Sequence, residues 1–214
     1  MSYEAAIFDF DDTLVKTREI KWAQHKAVAL YYYGITLDDE KLLEHWGEPY
    51  DDTLRAYYSN ADTIENMRAA KESFEAEFPL VAYEGALKLI NKLLEASIKV
   101  GVLTASDGRL VRSDLQRLGF PVEKFFKIQS SENTPGIYKP NPAVFTPMLR
   151  YLAASGINNT VYIGNDVRDW EAAHQARLDF IGITSSLTSK VDFRRAGATQ
   201  IIPTIYRAVE YFDI

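Results

Sequence analysis

The sequence predicts an α/β protein with a parallel sheet core and an inserted α-helical cap domain, and three observations indicate this class. Short apolar segments are typical of buried strands, and they are AAIF (5–8), IKVGVL (98–103), TVYIG (160–164), DFIGI (179–183) and TQII (199–202). Segments with the apolar spacing of amphipathic helices lie between most of them. One long stretch shows only helical pattern. Because strands separated by helices are typical of crossover connections, we expect the strands to be parallel.

The helical segments follow the strands in a regular order. They are GALKLINKLLEAS (85–97), RLVRSDLQRLGF (109–120), PAVFTPMLRYLAAS (142–155) and DWEAAHQARL (169–178). The segment FFKIQ (125–129) is a candidate for a further strand. These elements place the carboxyl ends of several strands at one edge of the sheet, where open parallel sheets bind their ligands.

The stretch from about residue 16 to about residue 80 interrupts this order. It contains no convincing buried strand and is rich in Tyr, Glu and Lys. An insertion of that length exceeds a normal crossover connection, so we interpret residues 16–80 as a helical cap domain. The core domain then comprises residues 1–15 and 81–214. The alternative is that these helices pack on one face of the sheet.

The composition excludes several classes of function. The 214 residues include no cysteine, which excludes disulfides and thiolate metal sites and is typical of a reducing compartment such as the cytoplasm. The net charge of −6, from 24 Lys and Arg against 30 Asp and Glu, argues against non-specific binding of nucleic acid. We find no signal-peptide pattern and no apolar run of membrane-spanning length, so we expect no membrane partner. A small anionic substrate is compatible with this charge, and the oligomeric state is open.

Three acids follow the first predicted strand in the sequence DFDDTL. Asp9 and Asp11 are two residues apart, so in extended backbone their side chains point the same way. Like charges raise each other's pKa, so two converging carboxylates indicate a cation, and oxygen ligands alone suit Mg²⁺. With a metal present, one carboxylate can attack phosphorus while the other handles the proton. A capping turn is the alternative; it explains Asp12 and Thr13 but not Asp9.

Three further segments place polar residues at or near strand ends. VLTAS offers the Thr104 hydroxyl and neighbouring backbone N–H groups such as that of Ala105 to a phosphoryl oxygen. IYKPNPAVF offers the point charge of Lys139, and YIGNDVRDWEAA offers the oxygens of Asp166 and Asp169. Each segment has a structural alternative, namely a strand-terminal Thr, a solvated Lys and a capping Asp. Packing alone does not easily explain why all of them occur in this order.

Together these four segments resemble the motifs of the haloacid dehalogenase superfamily, in particular its phosphoglycolate phosphatase-like branch. DFDDTL resembles the first motif, D-x-D-x-T, while Thr104 and Lys139 resemble the second and third. GNDVRDWEAA resembles the fourth, which is usually G-D-x-x-x-D. The likeness extends from about residue 5 to about residue 200. It implies a Rossmann-like sheet, and the insertion resembles the helical cap of the family.

The resemblance implies a role for each of these residues. Asp9 is then the nucleophile that forms an aspartyl-phosphate, and Asp11 protonates the leaving alcohol and later activates water. Thr104, Ala105 and Lys139 hold the phosphoryl group of a small phosphorylated metabolite. The Mg²⁺ ion is held by Asp9, by the backbone carbonyl of Asp11 and by an acid of the fourth motif.

The fourth motif departs from the family pattern at Asn165, where relatives have Asp. We expect Asp166, one residue further on, to be the direct ligand of the metal. Asp169 then either joins it or fixes the geometry of the loop. The complete predicted metal site is therefore Asp9, Asp11, Asp166 and Asp169.

Asp11 distinguishes between branches of the superfamily, because its dehalogenases and phosphonatases lack an acid at that position. A phosphatase or a phosphomutase is therefore favoured. The leading hypothesis is a phosphatase, and a sugar-phosphate phosphomutase is the enzymatic alternative. A catalytically weak binding or regulatory module of the same fold is a third reading, which only Asn165 supports.

The predicted cap contains a segment, EHWGEPYDDTLRAYY, that resembles the turn with which relatives reach into their active site. Gly47 and Glu48 are the predicted substrate-binding residues of this turn, with Trp46 and Arg55 as further candidates. Gly47 would allow the backbone to approach closely. The alternative places Trp46 in the interior of the cap and Glu48 in solvent.

Overall fold

Strands and helices alternate through most of the core in the computed structural model of the chain, which describes residues 3–46, 48, 50–185 and 187–214. The strands are β1 (Ala5–Asp9), β2 (Val15–Lys16), β3 (Val81–Ala82), β4 (Lys99–Leu103), β5 (Lys127–Gln129), β6 (Thr160–Gly164), β7 (Asp179–Ile183) and β8 (Gln200–Ile202). Six of them form one sheet in the order β5-β4-β1-β6-β7-β8, and β2 pairs with β3 in a separate two-stranded sheet.

All neighbouring strands of the six-stranded sheet are parallel, which confirms the predicted α/β class with a Rossmann-like sheet. β1 lies at its centre, and Ile7 is paired with Gly101 of β4 on one side and with Tyr162 of β6 on the other. Every residue of β1 is buried, as expected for a strand covered on both faces. The register brings the ends of β1, β4 and β6 together, because Asp9 is paired with Leu103 and Phe8 with Ile163.

The helices of the core follow these strands. They are α5 (Ala86–Glu95), α6 (Gly108–Arg117), α7 (Thr146–Ala154), α8 (Val167–Gln175) and α9 (Lys190–Ala196). The predicted helix over 142–155 begins as a 3-10 turn over Pro142–Phe145, and α7 starts only at Thr146. Pro142 and Pro147 both occupy first-turn positions, where the missing N–H of proline costs nothing.

The chain divides into two compact units, one of Met1–Val15 with Val81–Ile214 and one of Lys16–Leu80. The second unit, here called the cap unit, contains α1 (Arg18–Tyr33), α2 (Asp39–Glu44), α3 (Tyr50–Tyr57) and α4 (Ile64–Ser73). It has an apolar core of its own, which includes Leu42, Leu54 and Met67. Among the described residues, none of the helices is both long and apolar enough to span a bilayer.

Candidate active site

β1 ends at Asp9, and the chain turns immediately after it. The backbone N–H of Leu14 donates to the carbonyl of Phe10 over 3.0 Å, and Asp12 has a left-handed φ of 55°, which Asp tolerates better than most residues. This turn places the Thr13 hydroxyl 3.2 Å from Asp9 Oδ2. The turn formed by DFDDT therefore brings the hydroxyl of its last residue, Thr13, to the carboxylate of its first residue, Asp9.

Lys139 neutralises the buried end of the site. Its Nζ lies 2.7 Å from Asp9 Oδ1 and 2.6 Å from Asp169 Oδ1, and it also donates to the Tyr162 hydroxyl over 3.1 Å. Asp9, at the end of β1, and Asp169, on α8, are both buried, so one ammonium group bridges two carboxylates away from bulk solvent. Buried charges are tolerated only when paired in this way.

The environment shifts the ionisation of both partners. Burial raises the pKa of Asp9 to about 8, and although Lys139 opposes this rise, Asp169 and Asp11 add to it. Burial alone would lower the pKa of Lys139, but Asp169 and Asp9 raise it well above its usual value. Lys139 is therefore a permanent cation, and every further positive charge placed beside Asp9 favours its ionised form.

The start of α8 organises the loop of the fourth motif. Asp169 Oδ2 accepts hydrogen bonds of 3.0 Å from the backbone N–H groups of both Asn165 and Asp166. A Cβ on Gly164 would lie 2.5 Å from the same oxygen, so only glycine leaves room for this carboxylate. Asp169 thus fixes the loop geometry, one of the two roles predicted for it.

Asp166 is the N-cap of α8. Its carboxylate accepts from the backbone N–H of Arg168 over 2.8 Å, and the Arg168 guanidinium lies 3.1 Å from each of its two oxygens. Although burial tends to raise the pKa of Asp166, its bonds and its charge pairing with Arg168 bring the pKa below the usual value. These contacts are those of the capping alternative, and direct ligation of a metal by Asp166 stays a prediction.

Asn165 and Asp9 face the same hydroxyl group. Asn165 Oδ1 is 3.0 Å from the Thr13 hydroxyl, which also reaches Asp9 Oδ2. One hydroxyl proton therefore faces two acceptor oxygens from different strands. This corner of the site contains more acceptors than donors.

The second half of the site surrounds Asp11. Its Oδ2 accepts from the Thr104 hydroxyl over 3.2 Å and from the Ser106 hydroxyl over 2.8 Å. The Ser106 backbone N–H donates in turn to Thr104 Oγ1, and the Thr104 backbone is fixed by the carbonyl of Gln129. Asp11 Oδ1 is buried and has no hydrogen-bond partner among the described residues.

The predicted residues of the core come together, whereas those of the cap turn are placed in the other unit. Thr104, Ala105 and Lys139 line one small cavity. Gly47 lies outside the described residues. Glu48 is exposed, with Oε2 3.0 Å from His45 Nδ1.

The further candidates of the cap turn also lie in the cap unit. Trp46 packs edge-on against Trp22 at a centroid distance of 6.1 Å, and Arg55 is exposed on α3. These positions alone do not test a role in substrate binding.

Sequence reasoning missed three polar groups of the site. Ser106 follows Thr104 by two residues, a spacing that could have suggested a second hydroxyl in the same loop. Thr13 is the last residue of the D-x-D-x-T pattern, but the sequence indicated no role for its hydroxyl other than the capping alternative. Tyr162 carried no signal at all, because an aromatic residue within TVYIG is expected to pack in the core.

The donor set suits a hard cation such as Mg²⁺. Within the part of the chain that the structure describes, no three acidic, His or Cys side chains form a ready-made metal cluster. Asp9 Oδ2 and Asn165 Oδ1 nevertheless face a single donor, the Thr13 hydroxyl, and Asp11 Oδ1 has no hydrogen-bond donor among the residues described. Since Mg²⁺ usually takes one or two carboxylates together with water and substrate oxygens, this acceptor-rich corner fits it.

Comparisons with known proteins agree with this arrangement. The profile of the haloacid dehalogenase-like hydrolase family matches residues 6–183. The pyrophosphatase PpaX of Bacillus pumilus is 24% identical over 184 residues, which cover 85% of this chain and 83% of that protein.

Two solved structures show the same fold at low identity. A predicted phosphoglycolate phosphatase from Haemophilus somnus superposes with a TM-score of 0.81 at 18% identity, over 99% of this chain and 98% of that one. A protein assigned as a β-phosphoglucomutase from Thermotoga maritima has a TM-score of 0.80 at 20% identity, over 97% and 99%. At such identities the superpositions establish the architecture, and the profile match establishes the family. With the four motifs placed at the carboxyl ends of its strands, the chain belongs to the haloacid dehalogenase-like hydrolases.

Proposed function

We propose that the protein is a Mg²⁺-dependent phosphatase that hydrolyses a small phosphorylated metabolite through an aspartyl-phosphate on Asp9. One observation carries the proposal: a buried carboxylate at the end of β1 is held by Lys139, while the carboxylate two residues on has one oxygen that no described residue hydrogen-bonds. The first arrangement suits a nucleophile and the second suits a group that exchanges protons. The phosphoglycolate phosphatase and pyrophosphatase assignments among the similar proteins support the same class of substrate.

In the first step, an oxygen of Asp9 forms a bond to phosphorus, and the bond between phosphorus and the leaving oxygen breaks. Asp11 enters this step protonated and gives its proton to the leaving oxygen. Its unpartnered Oδ1 is the atom available for this transfer, since Oδ2 is held by Thr104 and Ser106. The products of the step are the free alcohol and the phosphorylated Asp9.

In the second step, Asp11 is ionised and takes a proton from water as the water oxygen bonds to phosphorus. The bond between phosphorus and Asp9 then breaks, which releases phosphate and restores the Asp9 carboxylate. Asp11 ends the cycle protonated, ready for the next leaving group. The same carboxyl group therefore acts as acid and then as base.

The donors around these carboxylates would hold the phosphoryl oxygens. The Thr104 and Ser106 hydroxyls donate to Asp11 in the free protein, and a phosphoryl oxygen beside them would compete for the same protons. The backbone N–H of Ala105 lies in the same loop. Lys139 supplies the positive charge that a dianionic substrate requires next to two carboxylates.

Asp9, the backbone carbonyl of Asp11 and Asn165 Oδ1 are the oxygens that would hold Mg²⁺. We place Asn165 ahead of Asp166 because the Asn165 oxygen shares the Thr13 hydroxyl with Asp9, whereas both Asp166 oxygens bind Arg168. When bound, the ion would neutralise charge on the phosphoryl group and on Asp9.

Phosphate release from an aryl phosphate, measured with and without Mg²⁺, tests the proposal. The expected result is turnover that depends on Mg²⁺ and that disappears in Asp9→Asn. A panel of phosphorylated metabolites, with phosphoglycolate, sugar phosphates and pyrophosphate, would then identify the substrate class. Absence of phosphate release from every compound at saturating Mg²⁺ would overturn the proposal in favour of a binding module.

A further inference from the structure

Tyr162 places a hydroxyl at the centre of the buried sheet. Its backbone is paired with Ile7 of β1 and Phe180 of β7, and its side chain is fully buried. The ring packs edge-on against Phe145 at a centroid distance of 4.8 Å, which fixes its direction. A hydroxyl in such a place is unfavourable unless it finds partners, and phenylalanine would fill the same volume without that cost.

Both partners of this hydroxyl belong to the candidate active site. Its oxygen lies 3.1 Å from Lys139 Nζ and 3.1 Å from Asp169 Oδ1. An ammonium group can only donate, so the Tyr162 oxygen accepts from Lys139 and its own proton points to Asp169. Burial, with Asp169 adding to it, raises the pKa of Tyr162 well above its usual value, so the hydroxyl keeps that proton.

Tyr162 also completes the hydrogen bonding of Lys139. An ammonium group has three N–H donors, and Asp9 Oδ1, Asp169 Oδ1 and the Tyr162 oxygen account for all three. Three fixed acceptors determine the orientation of the group, whereas two leave it free to shift between the carboxylates. Tyr162 is the neutral member of the three and forms the longest of the three bonds.

We propose that Tyr162 is a positioning residue of the phosphatase reaction, whose hydroxyl fixes the Lys139 ammonium between Asp9 and Asp169. This rests on the proposed function of the same site. Tyr162 has no contact with substrate in this account. It acts through Lys139, which keeps the Asp9 carboxylate in one orientation for attack.

Tyr162→Phe tests the proposal, because it removes the hydroxyl and preserves the ring that packs on Phe145. We expect kcat to fall about tenfold, the lower end of the losses seen for groups that orient catalytic ligands, with KM changed by less than about twofold. Tyr58→Phe is the matched control. It removes another fully buried hydroxyl, 2.8 Å from His25 Nδ1 in the cap unit, and should leave kcat near that of the parent.

A second measurement tests how firmly the Lys139 ammonium group is held, and it does not depend on catalytic activity. In protein with isotope-labelled lysine, the Lys139 ammonium signal is identified by its loss in Lys139→Arg, and its proton exchange with water is followed by NMR. The expected result is slow exchange in the parent and in Tyr58→Phe, and clearly faster exchange in Tyr162→Phe. Unchanged exchange in Tyr162→Phe, or a kcat within about twofold of an active parent, would overturn the positioning role. If the parent releases no phosphate at all, the proposed function fails, and the exchange experiment alone decides the role of Tyr162.

Discussion

The core and the cap unit both bury ionisable side chains, but they arrange them differently. In the cap unit, His25 lies in the interior with Nδ1 2.8 Å from the Tyr58 hydroxyl, and burial lowers its pKa to about 3. This histidine is therefore neutral. The nearby cation Lys71 is paired with Glu75, whose Oε2 also accepts from Gln24.

The core instead gathers several ionisable side chains around one cation, Lys139. Asp9, Asp169 and Lys139 form a group of two carboxylates and one ammonium, and one buried oxygen of Asp11 has no hydrogen-bond partner in the described part of the chain. Such an arrangement is less favourable than a neutral one, because buried charges lose their hydration. Under the proposed function, the core cluster would be maintained for chemistry, whereas the cap cluster would serve stability. Substitutions in the two clusters should therefore separate turnover from stability.

The largest effect is expected for Asp9→Asn, which preserves the size of the side chain and removes the nucleophile. Turnover should fall by roughly 10⁴–10⁶-fold, the scale seen when a nucleophile or its partner is removed. The thermal unfolding midpoint should remain close to that of the parent, since Asn165, Thr13 and Lys139 can still donate or accept at this position. Asp114→Asn, in the exposed pair with Arg117, is the control. Near-normal phosphate release by Asp9→Asn would contradict the idea that the core cluster serves turnover and the cap cluster serves stability.

Asp11→Asn should show the next largest loss and should depend on the leaving group. General acid help is worth about 10²–10⁴ in rate, so an alkyl phosphate should suffer by that factor. An aryl phosphate, whose leaving group needs little protonation, should suffer least. Rates with both substrates in parent and variant measure this difference. Equal losses on the two substrates would contradict the acid role of Asp11.

Lys139→Ala should weaken substrate binding and slow the chemical step together, because it leaves Asp9 and Asp169 without their cation. We expect kcat/KM to fall by about 10²–10³-fold, as when one donor to a developing charge is removed. Stability should also decrease, since one partner of a buried pair is lost. Lys99→Ala, an exposed lysine on β4, provides the comparison. Unchanged kinetics in Lys139→Ala would remove the third motif from the mechanism.

Substitutions in the fourth motif should change the Mg²⁺ requirement and the activity to different extents. Asn165→Ala should raise the Mg²⁺ concentration needed for half-maximal activity by about tenfold or more, and Asp169→Asn should lower activity about 10–100-fold by loosening the loop. Asn165→Asp should retain activity. Asp192→Asn, which alters a comparable capping box on α9, controls for loss of a helix cap.

Asp166→Asn decides between the two candidate ligands of the metal. If Asn165 is the ligand, this variant should behave like the parent in a Mg²⁺ titration. A raised Mg²⁺ requirement in Asp166→Asn, with a normal requirement in Asn165→Ala, would restore the ligand predicted from the sequence.

The smallest effect concerns the pH dependence of stability in the cap unit. The folded pKa of His25 lies below the ordinary value of about 6.5, so the unfolded chain binds the extra proton. The contribution of neutral His25 to the free energy of unfolding is complete above about pH 6.5, and it is lost as the pH falls from there towards 3. The slope in that range is at most about 1.4 kcal/mol per pH unit. Denaturant unfolding of His25→Gln should show a shallower decline than the parent, whereas exposed His174→Gln should match the parent.

The sheet was predictable because its strands are buried on both faces. TVYIG and DFIGI coincide with β6 and β7, and AAIF and FFKIQ each lie within two residues of the ends of their strands. Their apolar runs are bounded by polar residues such as Asp9 and Asn165, so the composition marks the strand ends to within two residues. The start of α7 was less predictable, because two prolines allow a 3-10 turn before the helix.

Part of the site was also predictable, since parallel strands bring their carboxyl ends to one edge. Asp9 and Thr104 follow from that rule, whereas Lys139 lies in the loop between β5 and the turn at Pro142 and was predicted from its charge and the neighbouring prolines. The partners of these residues do not follow from the rule, because a hydrogen bond between Ser106 and Asp11 or between Tyr162 and Lys139 depends on side-chain directions across three strands.

Detection of a phosphoryl group on Asp9 tests the central claim most directly. The parent is mixed with radiolabelled substrate and Mg²⁺, quenched in acid within the first turnover, digested and mapped by peptide. We predict label on the peptide that contains Asp9 and Asp11 in the parent, more of it when Asp11→Asn slows the second step, and none in Asp9→Asn. Phosphate release from the parent at full rate with no labelled peptide, or with label on another residue, would contradict the account.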